Sequence, residues 1–173
     1  PFEVLGKLSE KIWNRTLAST KMYNIRVIFK PLSYFKGGHV TTIYKGTEIE
    51  ICLKEHVSNT ENFPVLIHEL AHLCLGHTGH KELKHFTNKN KSFKLPERFI
   101  PKSTEELEAE TVSYLVCFRL GLQTQAAEYI AGYFNSQEEL TKFSYDTVIK
   151  AADSIESHFI NPAKRNINED RKS

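Results

Sequence analysis

Cysteine, methionine and tryptophan are scarce in this chain, and it contains no long apolar run. Of its 173 residues three are cysteine, one is methionine and one is tryptophan. Cys52, Cys74 and Cys117 form no CxxC or CxxxC pair, and an odd number of thiols in apolar stretches argues against a disulfide framework. They read as small core residues in a reducing compartment, and none is assigned to a metal. No stretch approaches the roughly 18 apolar residues of a membrane span. Residues 1–12 alternate polar and apolar at helical spacing, unlike a secretory signal, so a cytoplasmic location is expected. An excess of one charge sign is also missing: 23 basic against 21 acidic residues leave a net charge of +2, too little for a general polyanion binder.

What remains is an ordinary apolar share of 40%, enough for one core, and neither a repeat nor a low-complexity tract. A single domain over residues 1–160 is expected, followed by a polar tail over 161–173. Leu5, Leu8, Ile12, Trp13 and Leu17 recur at spacings of three and four, which predicts an amphipathic helix from Phe2 to Thr20. The period then changes to two. Ile25, Val27 and Phe29 mark one strand, His39 to Tyr44 a second after a Gly37-Gly38 turn, and Glu48 to Leu53 a third after Lys45-Gly46-Thr47. Three short strands with tight turns imply a small, largely antiparallel sheet. A helix follows from about Asn59, with Pro64 in its first turn and Gly76 as its terminator. No period is detectable from Thr78 to Pro101. Ser103-Thr104-Glu105-Glu106 reads as a capping box opening a helix that stops at Gly121, and further helices are expected over 124–134 and 144–159.

Within the helix ending at Gly76 stands His68-Glu69-Leu70-Ala71-His72, an H-E-x-x-H sequence. Residues four apart on a helix place their Cβ atoms about 6 Å apart, so both imidazoles can reach one metal ion. Glu69 lies about 100° round the helix, beside the metal, where a base can take a proton from activated water. Catalytic zinc usually takes three protein ligands, so a third is needed. The extended form H-E-x-x-H-x-x-G-x-x-H would put its glycine at Leu75 and its histidine at Thr78, and fails. A later helix offers Glu105, Glu106, Glu108 and Glu110. Stepping 100° per residue from Leu107 gives an apolar stripe of Leu107, Thr111, Tyr114, Leu115, Cys117 and Phe118, which contains Glu110. Glu106 falls at its edge, and Glu105 and Glu108 on the side of Arg119. Glu110 is the favoured third ligand, with Glu106 and His77 as alternatives. Tyr114 and His77 are candidates for a second oxyanion donor.

The run from His68 to His77 resembles the motif helix of ImmA/IrrE-type metallopeptidases and of the metallopeptidase half of ArdC-type antirestriction proteins. Glu108-Ala109-Glu110-Thr111-Val112-Ser113-Tyr114 is similar to the glutamate-bearing helix of the same families. The resemblance covers residues 23–134. It implies an α+β, zincin-like fold of gluzincin type, a Zn2+ ion held by His68, His72 and Glu110, and Glu69 as catalytic base. The DNA-binding and sensory modules attached in those families have no counterpart in these residues.

Residues 80–102 carry Lys81, Lys84, Lys89, Lys91, Lys94, Arg98 and Lys102 among Phe86, Phe93 and Phe99. A solvated loop pinned by the phenylalanines is favoured over a nucleic-acid contact. Two function classes follow. One is a zinc metallopeptidase of regulatory type, cutting one intracellular protein such as a phage or mobile-element repressor. The other is an antirestriction or nucleic-acid-associated binding protein that uses the fold as a scaffold.

Overall fold

A computed structural model of the chain describes residues 3–32, 38–43, 48–133 and 141–162, with 38–43 and 133 described by backbone alone. Its first helix, α1 (Glu10–Met22), buries Trp13, Thr16, Ser19 and Thr20. The helix expected from Phe2 thus begins eight residues later. The reason is Gly6, which holds φ +103 and packs so closely on the Gly121 carbonyl oxygen that a Cβ would stand 2.8 Å from it. A positive φ cannot continue a right-handed helix. Leu5 instead exchanges backbone hydrogen bonds of 2.9 Å with Gln123 in both directions.

Strands β1 (Ile25–Lys30), β2 (Gly38–Ile43) and β3 (Glu48–Lys54) form one sheet in the order β1-β3-β2. β2 and β3 pair antiparallel, but β1 and β3 pair parallel, Ile25 opposite Ile49 and Lys30 opposite Lys54. The largely antiparallel sheet expected from strand spacing is therefore mixed. β3 is buried from Ile49 to Leu53 and takes the centre, where both faces are covered. β1, at the edge, leaves Phe29 exposed and ties its Arg26 guanidinium to Glu50 across the pair at 2.6 Å. The turns anticipated at Gly37 and at Lys45-Gly46-Thr47 lie outside the described residues, as do Phe134 and the tail from residue 163.

Helix α2 (Asn59–Cys74) packs on β2 and β3 and carries the H-E-x-x-H sequence. Its start is set by a capping box: Ser58 Oγ accepts the Glu61 backbone N–H, and the Glu61 carboxylate accepts the Ser58 N–H. Pro64 lies in the second turn rather than the first, and its carbonyl accepts a 2.8 Å hydrogen bond from Ser113 Oγ. Asn62 Nδ2 donates to the Lys54 carbonyl and locks the helix to the end of β3.

The stretch over 78–101 holds a two-stranded ribbon, β4 (Glu82–Leu83) against β5 (Phe93–Lys94), around a short 3-10 turn. Helix α3 (Lys102–Arg119) follows, packed along α2. It has Pro101 as N-cap, and no side chain caps it, so the capping box expected at Ser103 does not form; Ser103 is already helical. α4 (Ala126–Tyr133), α5 (Tyr145–Ile155) and a π-helical turn, Glu156–Ile160, complete the described chain. α5 covers α2 and α3, and the π turn closes on α1. The architecture is mixed helix and sheet, α+β. No described helix is long and apolar enough to cross a membrane.

Candidate metal centre

The site forms where α2 lies beside α3. His68 and His72, one turn apart on α2, bring their Nε2 atoms to 3.1 Å. From α3, Glu106 places Oε2 3.4 Å from His68 Nε2 and Oε1 3.6 Å from His72 Nε2. Four-coordinate zinc with ligand bonds near 2.0–2.1 Å has ligands about 3.3 Å apart, the edge of a tetrahedron. The two histidine nitrogens lie near that length from each other, and each Glu106 oxygen lies near it from a different histidine; one ligand atom from each of the three residues falls within 4.8 Å of the others. His72 is buried, His68 nearly so, and the Glu106 side chain is 35% exposed, so one side of the cluster stays open.

The other ring nitrogens determine which way the lone pairs face. His68 Nδ1 donates to Glu110 Oε2 at 2.9 Å, since an ionised carboxylate only accepts. His77 Nε2 donates likewise to Glu108 Oε2 at 3.2 Å, which leaves His77 Nδ1 as an acceptor. His72 Nδ1, 2.9 Å away, must then be the donor to it. Both Nε2 atoms consequently carry lone pairs in the neutral rings and face each other at 3.1 Å. Two lone pairs at that distance repel unless a cation sits between them and Glu106. Burial works against charging His68, but its hydrogen bonds to the Glu106 and Glu110 carboxylates outweigh it and push its pKa up to about 9. Burial, with charged His68 beside it, lowers that of His72. Charged His68, with Lys102 Nζ at 3.1 Å, holds the Glu106 carboxyl well below the usual range.

The three carboxylates of α3 stand in different places. Glu110, expected among the ligands, sits on the far nitrogen of His68, whereas Glu106 joins the His68 and His72 nitrogens. Glu108, expected on the solvent side with Arg119, is fully buried. It accepts two hydrogen bonds from the Arg98 guanidinium, one from His77 and one from the Ser144 N–H at 2.9 Å. Burial alone would raise its pKa, but His77 and Arg98 lower it. The helical wheel missed this because α3 is covered by α2, α4 and α5 and has no single buried stripe: Thr104, Leu107, Glu108, Ala109, Val112, Ser113, Val116 and Cys117 are all buried. Phe118, placed in the stripe, is 60% exposed.

Glu69 is buried on α2 between the two histidines in sequence. His77 is neither a surface residue nor a free donor; its side chain is 2% exposed and both ring nitrogens are engaged. Tyr114 stacks on Phe118, ring centroids 6.0 Å apart. Arg98 leaves the basic stretch of 80–102, because its charge is taken up by Glu108. The model of the M78 peptidase family, described as the IrrE N-terminal-like domain, matches residues 20–141, which include both site helices.

The chain belongs to this IrrE N-terminal-like family.

The family is of metallopeptidase type, and the His68, His72 and Glu106 cluster is a group that could hold a metal ion in keeping with it. A Bacillus anthracis protein described as uncharacterized is 27% identical over 177 residues; the match takes in 97% of this chain and 27% of that protein. No solved structure matches.

Proposed function

We propose that this chain is a zinc-dependent peptidase of gluzincin type, acting in the cytoplasm on one intracellular protein rather than digesting generally. The observation that carries the proposal is the convergence of His68, His72 and Glu106, with one ligand atom from each within 4.8 Å of the others. Glu106 is the third ligand in this reading, and Glu110 is the carboxylate that orients His68 from behind. Two imidazoles and one carboxylate suit zinc among the common divalent ions. Zinc held there supplies Lewis acidity, which acidifies water and polarises a peptide carbonyl.

Glu69 is the base. As the water oxygen bonds to the carbonyl carbon, Glu69 accepts one of its protons, then delivers it to the nitrogen as the C–N bond breaks, leaving a carboxylic acid and an amine. Three free buried thiols support a reducing compartment. The substrate in this reading is an intracellular protein such as a DNA-binding repressor, and the engagement of Arg98 by Glu108 takes one charge from the basic stretch that a nucleic-acid contact would use. The test is to purify the parent and Glu69→Gln proteins and compare zinc content and new protein termini in cells making each. One zinc per chain in both, with cleavage lost by about 10²–10⁴-fold in the variant, is expected. A parent without zinc, or a variant that cuts as fast, overturns the reading.

A further inference from the structure

A fully buried carboxylate is costly unless every lone pair is used, and Glu108 is completely enclosed. Its Oε1 accepts from Arg98 Nη2 at 2.8 Å and from the Ser144 N–H at 2.9 Å; its Oε2 accepts from Arg98 Nη1 and from His77 Nε2. Charged Arg98 keeps Glu108 ionised, and an ionised carboxylate cannot donate. In the neutral ring the His77 proton therefore sits on Nε2, and its Nδ1, 2.9 Å from His72 Nδ1, accepts. His72 must carry its proton on Nδ1 and present a lone pair at Nε2.

We propose that Arg98, Glu108 and His77 form a one-way hydrogen-bond relay whose task is to set the tautomer of His72 before any metal arrives. They are positioning residues, since none of them reaches the reacting atoms. The assignment rests on the metal-site reading for its purpose but not for its geometry. The relay begins in the segment ahead of α3 and passes through α3 to the turn after α2. It also holds the N-terminal end of α5 through Ser144. His68 needs no such relay because Glu110 contacts its Nδ1 directly.

The experiment uses the full chain, stripped of metal, and reads histidine ring nitrogens in long-range 1H–15N spectra. In the parent, His72 is expected as the Nδ1–H form and His77 as the Nε2–H form; the reverse in either ring overturns the proposal without any variant. His77→Gln retains an acceptor and a donor about as far apart as the ring nitrogens, so it keeps the polarity. His77→Phe keeps the ring volume and loses both groups. His77→Phe is expected to release His72 into mixed tautomers and to weaken zinc binding, measured against a competing chelator, by about 10–100-fold, with His77→Gln restoring most of it. A folded His77→Phe protein with parental spectra and affinity overturns the relay. Should the parent take up no zinc, the peptidase reading fails while the His72 and His77 tautomers still decide the relay.

Discussion

Arg98→Met removes the guanidinium that neutralises Glu108 while keeping most of the side-chain volume. The Arg98 side chain is 13% exposed and that of Glu108 is 0% exposed, so the charge left behind has no access to water. Glu108 would retain His77 and the Ser144 N–H but lose two charge-assisted bonds. Breaking one side of a buried pair costs about 3–5 kcal/mol. For a chain of this size each kcal/mol lowers Tm by roughly 2–4 °C, so a drop on the order of 10 °C follows. The assay is urea unfolding followed by circular dichroism, with thermal melts alongside. Arg119→Met is the control: its partners Asp153 and Glu156 are substantially exposed, and the loss should stay within about 1 kcal/mol. Because the Glu108 carboxyl is held below its ordinary pKa, its stabilisation is full above the unfolded value near 4.3 and is lost as pH falls through the folded one. The gap between parent and Arg98→Met should therefore close in acid. The buried-pair reasoning is refuted if Arg98→Met melts with Arg119→Met at neutral pH.

Gly76→Ala should destabilise by well over the 1–2 kcal/mol of a left-handed residue, since Gly76 holds φ +79 and its Cβ would stand 2.0 Å from the Pro96 carbonyl oxygen. Urea midpoints check this, and a neutral result would mean that the segment at Pro96 yields freely. Ser58→Ala should cost about 1 kcal/mol by removing the cap of α2, measured in the same way. Burial pushes the Cys74 and Cys117 thiols up to about 12, so at pH 8 about one in ten thousand is thiolate. Disulfide-exchange reagents should titrate them only after denaturant is added; rapid native-state reaction at pH 8 would contradict their burial.

The elements whose hydrophobic period runs unbroken were legible at the level of sequence: α2 with its histidine pair, the three strands, and α5. Boundaries failed where a contact distant in sequence intervened. Gly6 ends the apparent helix of residues 2–20 by its approach to Gly121, a residue 115 positions away. The capping signature was read at Ser103, which does not cap, and passed over at Ser58, which does. The pattern is similar at both, but Ser58 is itself the extended residue from which α2 starts, whereas α3 starts from the extended Pro101 and leaves Ser103 inside the helix.

His68, Glu69 and His72 are determined by sequence, because a helical repeat fixes their mutual geometry within one turn. Which carboxylate faces them depends on the rotation of α3 against α2, and that rotation is decided by packing on several sides at once. Glu108 and Arg98 lie further still from local pattern. A buried carboxylate becomes tolerable only when a guanidinium, an imidazole and a backbone N–H from three other parts of the chain meet it, and only the tertiary structure brings them together.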